Sequence, residues 1–240
     1  MSKMLTFKMM AFDTQTLPAE TLAGYTQTFF NDDLNSKDES AAKQKEKAIL
    51  RWIFNHPVLR MMFLEELSVK IASRHKLEVG SPIVENPNKK PGDIDVLIWE
   101  QECPHEAIAL ECKRVKVVVD DTGRDQVNKV NAIGNGVGQA NAVLDLGFHQ
   151  TYLAVLIVVD GRLRQESNVL FRGSTDETFT RVYEFPQRDR LHKDIGIMFL
   201  ELTQPTGKDI NRMATLAVAI DKDPTPRRQP VSLTNKISLL

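Results

Sequence analysis

Gly92-Asp93-Ile94-Asp95-Val96-Leu97-Ile98-Trp99 and, a short turn later, Ala107-Ile108-Ala109-Leu110-Glu111-Cys112-Lys113-Arg114 decide how this 240-residue chain is read. Both are apolar runs of strand type that carry carboxylates, and the second ends in Glu-x-Lys, the only Asp/Glu-x-Lys triplet in the chain. Side chains on a strand alternate between faces, so Glu111 and Lys113 point the same way. Asp95 meets them if the two runs pair as neighbouring strands. Asp93 shares a face with Asp95 and stays open as the second acid; Asp95 is preferred because the apolar run begins right after it. Two carboxylates and one ammonium on one edge suit a divalent cation and a phosphate diester. The plainer alternative is an edge strand whose exposed face carries an ordinary Glu–Lys pair.

Outward from these runs, the pattern predicts helices and strands in alternation. Asp38 to Asn55 reads as a helix whose apolar face gathers at Ile49, Leu50, Trp52, Ile53 and Phe54. His56-Pro57 marks a corner, and Val58 to His75 is the next predicted helix, with Pro57 at its start. Lys76 to Val79 turns extended, and the Pro- and Gly-rich stretch 87–92 is a loop. Strands are expected at about 93–100 and 106–113, with 115–119 prolonging the second or starting a third. A helix follows over 126–146, although Gly134, Gly136 and Gly138 weaken its start; glycine there permits close backbone approach. Thr151 to Val159 is a near-continuous apolar run, as in a strand covered on both faces. Val182–Phe185, Ile195–Leu202 and Ala214–Ile220 are read as strands, Pro18 to Phe30 as a short helix, and Pro224–Pro230 as a flexible stretch. The expected divisions are a helical N-terminal extension (1–57), a core (58–160), strands completing the same domain (161–220) and a flexible tail (221–240).

Composition is that of an ordinary globular chain. Lysine and arginine (31) nearly balance aspartate and glutamate (32), giving a net charge of −1, so no global basic field argues for nucleic acid. Any affinity for phosphate must come from local clusters. Cys103 and Cys112 lack the repeated spacing of a zinc site, and Cys112 is expected as a buried, reduced thiol. No apolar run is long enough to span a bilayer, and the N-terminus lacks secretory-signal character, so a cytoplasmic protein with no membrane partner is expected. The five histidines show no ligand spacing.

The order helix, strand, strand, strand, helix, strand over 58–160, with Asp95 opening one strand and Glu111-Cys112-Lys113 closing the next, resembles the PD-(D/E)XK nuclease superfamily. The resemblance implies an α/β, restriction-endonuclease-like core: a central mixed sheet flanked by helices (αβββαβ), with a helical N-terminal and a β-rich C-terminal addition. It implies DNA as substrate, Mg²⁺ (or Mn²⁺) as cofactor, Asp95 and Glu111 as metal ligands and Lys113 as the lysine of the site. A helical glutamate common in the family falls on Glu65 or Glu66. Glu65 sits among Val58, Met61, Val69 and Ala72 on a helical wheel, where an unpaired charge is unusual. Gln139, on the following helix, matches the place where some branches hold a glutamine. Lys116, Lys89 and Lys90 are candidate contacts to the DNA backbone, with Lys116 grouped beside Lys113. Restriction, phage defence or repair are the settings implied, with a homodimer or a multi-protein complex as further partners.

Two rivals use the same residues. Gly80-Ser81 followed by Asp93-Ile94-Asp95 is similar to a nucleotidyltransferase signature, although Pro82, Pro87 and Pro91 interrupt the helix that fold needs. A nuclease-like fold also serves as a catalytically inactive DNA- or protein-binding scaffold.

Overall fold

The computed structural model describes residues 5–13, 46–85, 91–119, 122, 124–128, 130–160, 176–204 and 213–240. Its centre is β4 (Cys103–Val119), which joins the expected strand over 106–113 to its 115–119 continuation. Antiparallel to it runs β3 (Ile94–Glu100), in the register Val96↔Leu110, Leu97↔Ala109 and Ile98↔Ile108. On its other edge β6 (Gln150–Asp160) is parallel and unbroken from Ile108↔Gln150 to Val118↔Asp160. The sheet continues through β7 (Gly196–Gln204) and β8 (Met213–Lys222) to β1 (Lys8–Asp13), and beyond β3 to β2 (Arg74–Val79). A short β5 (Asp125–Asn128) pairs with Lys116–Val119 of β4. The result is α/β: an open, mixed, eight-stranded sheet with helices on both faces.

The layers follow from the apolar patterns. α1 (Glu46–Asn55) and α2 (Pro57–Glu66) bury Ile49, Trp52, Ile53, Phe54, Leu59 and Phe63 against the even-numbered positions of β4 and β6, Cys112 among them. The Cys112 thiol is pushed well up by burial and stays neutral, a small apolar filler as expected. α3 (Val130–Asp145) covers the opposite face, packing Ile133, Val137 and Ala140 on Val115, Leu153 and Val155. Apolar groups thus meet β6 from both sides, which is why its sequence is a continuous run rather than an alternation.

Several expectations need correction. α2 ends at Glu66, not near His75: Ser68 turns left-handed (φ 57°), and Val69 N–H donates to Leu64 O, reversing the chain into β2. The predicted strand at Val182–Phe185 is instead the end of α4 (Asp176–Tyr183) and the turn after it, with Val182 and Phe185 buried beneath α3. Residues 221–240 are not a flexible tail. Gln229 is buried and donates to Pro104 O (2.8 Å) and Thr234 Oγ1 (2.9 Å). α5 (Val231–Ser238) then seats Leu233 and Ile237 beside Ala107, Trp99 and Phe148. The Pro- and Arg-rich stretch before it masks a helix with an apolar face. The helix expected at Pro18–Phe30, and the 38–45 half of the next, lie outside the described residues, as do Lys89 and Lys90.

Ile237→Ala is expected to lower stability by about 2–4 kcal/mol in urea denaturation, the usual cost of emptying a fully buried aliphatic site. A frayed tail would show no change.

Candidate active site

β3 pairs with β4 only as far as Leu110, and β5 takes over at Lys116. β6 holds the other edge of β4 throughout this stretch, so β3 and β5 share one edge and leave it open from Glu111 to Val115. Backbone N–H groups of alternate residues point to the same edge and must find acceptors. Side chains supply them. Asp95, at the start of β3, accepts the N–H of Cys112 through Oδ2 at 2.7 Å. Glu46, the first residue of α1, accepts the N–H of Arg114. Two carboxylates from distant parts of the chain are therefore pinned to neighbouring turns of one strand backbone.

Between them lie Glu111 and Lys113. Continuing the register Val96↔Leu110 puts Asp95 across from Glu111. Glu111 is 1 % exposed and Lys113 14 %. Lys113 Nζ donates to Glu111 Oε1 at 2.5 Å and to Cys112 O at 2.8 Å. Its side chain lies against α3, where a Cβ on Gly136 would overlap Lys113 Cγ and come within 3.1 Å of Cε. That close approach is the reason for glycine in the middle of this helix.

The electrostatics are those of too many acids for one ammonium. Burial first, then Asp95 and Glu46, push Glu111 up to about 8 against the opposing pull of Lys113. Burial likewise raises Asp95, whose pair with Lys113 and bond from Cys112 N–H act the other way. Glu46 is raised by burial, with Lys113 and the Arg114 N–H opposing. Burial works to discharge Lys113, but Glu111, Asp95 and Glu46 outweigh it, and its pKa rises. Glu111 Oε2 is buried with no hydrogen-bond partner. An unmatched oxygen in this setting is costly, the more so once the group is ionised, when a hard cation is the partner its chemistry favours. Among the described residues, however, no three His, Cys, Asp or Glu side chains form a group that could hold a metal ion. As the side chains stand, Lys113 is the cation that Glu111 holds.

The expected trio Asp95, Glu111 and Lys113 is thus brought together. The other assignments divide. Asp93 is exposed and lies before β3, acting on Asp95 as a like charge from the rim. Glu65 is exposed on α2 and does not join the cluster. Glu66 pairs with Lys8 of β1 at 3.0 Å, and among the groups that shift Asp95, Glu111 and Lys113 it has no part. The helical acid at the site is Glu46, one helix earlier, which the sequence reading missed. Its signal was present: Glu46 lies three, four and seven residues before Ile49, Leu50 and Ile53, so it extends their apolar stripe. Lys45 and Lys47 on either side made it look solvated. Lys116 does not accompany Lys113. The β4–β6 register has no slip, and Val115 and Val117 pack under α3, so Lys116 faces the other way. Gln139 donates to Pro91 O at 3.3 Å and braces the entry to β3. After Gly80-Ser81, residues 81–85 form turns and bends, without the helix that the nucleotidyltransferase reading requires.

No family model matches the chain, and no curated protein sequence does.

Two predictions follow from the charge balance and the packing. Well below pH 4.5 Glu111 is protonated whether the chain is folded or not; from pH 4.5 to about 8 the folded chain keeps a proton that the unfolded chain releases. Stability therefore falls as pH rises through this window and levels off above it. In metal-free urea titrations, E111Q should match the parent at about pH 3.5 and exceed it by about 2 kcal/mol or more near pH 9. Gly136→Ala should destabilise the parent, despite the roughly 1 kcal/mol that alanine gains in a helix, because Lys113 must move. In a Lys113→Ala background the same change should cost less, since only the 3.2 Å approach to Leu153 Cδ1 remains, a coupling that a double-mutant cycle measures.

Proposed function

We propose that this chain is a metal-dependent nuclease with a restriction-endonuclease-like core, hydrolysing DNA phosphodiester bonds at the open edge of β4. The observation that carries the reading is the cluster itself: buried Glu111 and half-buried Asp95 and Glu46 share one lysine, and Glu111 keeps an unmatched oxygen. Buried acids with raised pKa values and a lysine at a sheet edge are the groups that phosphodiester hydrolysis needs.

Asp95 and Glu111 are the residues that would hold Mg²⁺ or Mn²⁺, with Glu46 as the third carboxylate. Bound there, the ion supplies neutralisation of phosphate charge and acidification of a water. Lys113 keeps its proton, because the acids around it raise its pKa. It therefore donates to a phosphate oxygen or to the attacking water and stabilises developing negative charge; it is not the base. Glu46, raised by burial, is the better proton acceptor. Gly136 keeps Lys113 on this course by letting it pass close to α3. Restriction, phage defence and repair are the roles such an activity serves.

A catalytically inactive scaffold is the second reading, and the lack of a ready-made metal group among the described residues favours it. Turnover separates the two. With Mg²⁺ or Mn²⁺ the purified chain should cut DNA, and chelation should stop it. Glu111→Gln and Lys113→Ala should each reduce the rate by about 10²-fold or more while keeping a cooperative unfolding transition. Variants that cut as well as the parent would overturn the assignment. Mg²⁺ should also raise the parent's melting temperature and leave that of Asp95→Asn unchanged, a check that does not depend on cleavage.

A further inference from the structure

Glu78 is a glutamate in an unusual place. It has φ 54°, a left-handed conformation that favours glycine, at the next-to-last residue of a strand. The β2–β3 register runs from Arg74↔Trp99 to Leu77↔Val96, steps over Glu78 and resumes at Val79↔Ile94. The residue stepped over is thus the one across from Asp95. The alternation of β2 breaks at the same point: Leu77 packs with the core under α1 and α2, and Val79 with the cluster on the opposite face. The carboxylate freed by this turn holds two cations of α1. Lys47 Nζ pairs with Oε1, and Arg51 Nη2 donates to Oε2 at 2.6 Å. Lys47 and Arg51 are four residues apart and share one face of the helix. Glu46, which carries α1 into the acidic cluster, is the immediate neighbour of Lys47.

We propose that Glu78 is a positioning residue: by clamping Lys47 and Arg51 it fixes the first turn of α1, so that the Glu46 carboxylate stays on the Arg114 N–H and beside Asp95, Glu111 and Lys113. One strained residue across from Asp95 thereby ties two of the three acids to each other's placement. Strain that the backbone does not need for its own sake is often kept where it aims a functional group. Single exposed ion pairs do little, but here each oxygen of one carboxylate holds a different cation of the same helix face. The link to catalysis rests on the nuclease reading; the mechanical link does not.

The test is hydrogen exchange at the Arg114 amide in the metal-free protein, together with cleavage kinetics. Glu46→Ala is the reference for loss of that acceptor. Glu78→Gln is expected to lower protection of the Arg114 amide about tenfold or more, towards the Glu46→Ala value, with β6 and β7 amides unchanged. Glu85→Gln, in an exposed pair with Lys236, should change nothing. In cleavage assays Glu78→Gln should lower kcat about tenfold with little change in KM for DNA. Full Arg114 protection in Glu78→Gln, alongside its loss in Glu46→Ala, would overturn the proposal. A parent that never cuts DNA would overturn the nuclease reading instead, and the exchange result would still decide the role of Glu78.

Discussion

Everything distinctive in this molecule depends on one gap in one hydrogen-bond ladder. Where β3 ends its pairing and β5 has not begun, β4 presents N–H groups that no strand accepts. Water could satisfy them at an exposed edge. Here the edge is covered, and carboxylates take the donors: Asp95 at Cys112 and Glu46 at Arg114. A backbone N–H is a fixed donor, so each bond locates an acid as firmly as the strand itself is located. The sheet interruption is thus what turns scattered acidic residues into a cluster.

Once gathered, the acids create a charge problem that the chain alone does not solve. A single ammonium lies among one buried and two half-buried carboxylates: burial first, then the neighbouring acids, makes Glu111, Asp95 and Glu46 easier to protonate, while those acids make Lys113 harder to deprotonate. A purely structural ion pair would leave no such surplus. Replacing a buried pair of that kind by apolar groups often stabilises a protein, and a surplus of buried acids is costlier still. Retaining it is understandable if a cation joins the cluster in use, which links the electrostatics to the proposed chemistry.

The central part of the fold was legible because two short-range rules agreed. Period-two alternation put Glu111 and Lys113 on one face, and the short connection after Trp99 made an antiparallel pair that brings Asp95 opposite Glu111. The continuous apolar run of β6 declared burial on both faces, and Gly136 announced a close approach whose object, Lys113, was hidden. What escaped was set by tertiary context. Glu46 reads as a solvated charge until the helix N-terminus is seen to overhang the β4 edge. Val182 and Phe185 suggest a strand, yet they are spaced to bury one side of α4 and its turn. The Pro- and Arg-rich stretch before α5 has a disordered composition, while buried Gln229, tied to Pro104 and Thr234, anchors it. The sign of the Lys116 placement is simple arithmetic: three residues from Lys113 on an unbroken strand is the opposite face.

The placement of Glu46 and Lys113 shows how helices can serve a site that the sheet alone outlines. α1 carries Glu46 in its first turn, where a carboxylate also complements the helix dipole, and α3 acts by shape. α3 makes room at Gly136 for the Lys113 side chain, whose ammonium is directed to Glu111 and to the Cys112 carbonyl. α1 advances a single carboxylate past the sheet edge, and the residues just after it, Lys47 and Arg51, fasten the helix to the strand beside Asp95. Preorganisation of this kind limits the reorganisation that a bound phosphate would otherwise demand. The intrinsic preferences of the two positions run against it, since glycine weakens a helix and a left-handed glutamate strains a strand. Both departures occur beside the same acids, and both also serve the core: Gly136 leaves room for Leu153 as well as Lys113, and the turn at Glu78 sends Leu77 and Val79 to opposite faces of the sheet.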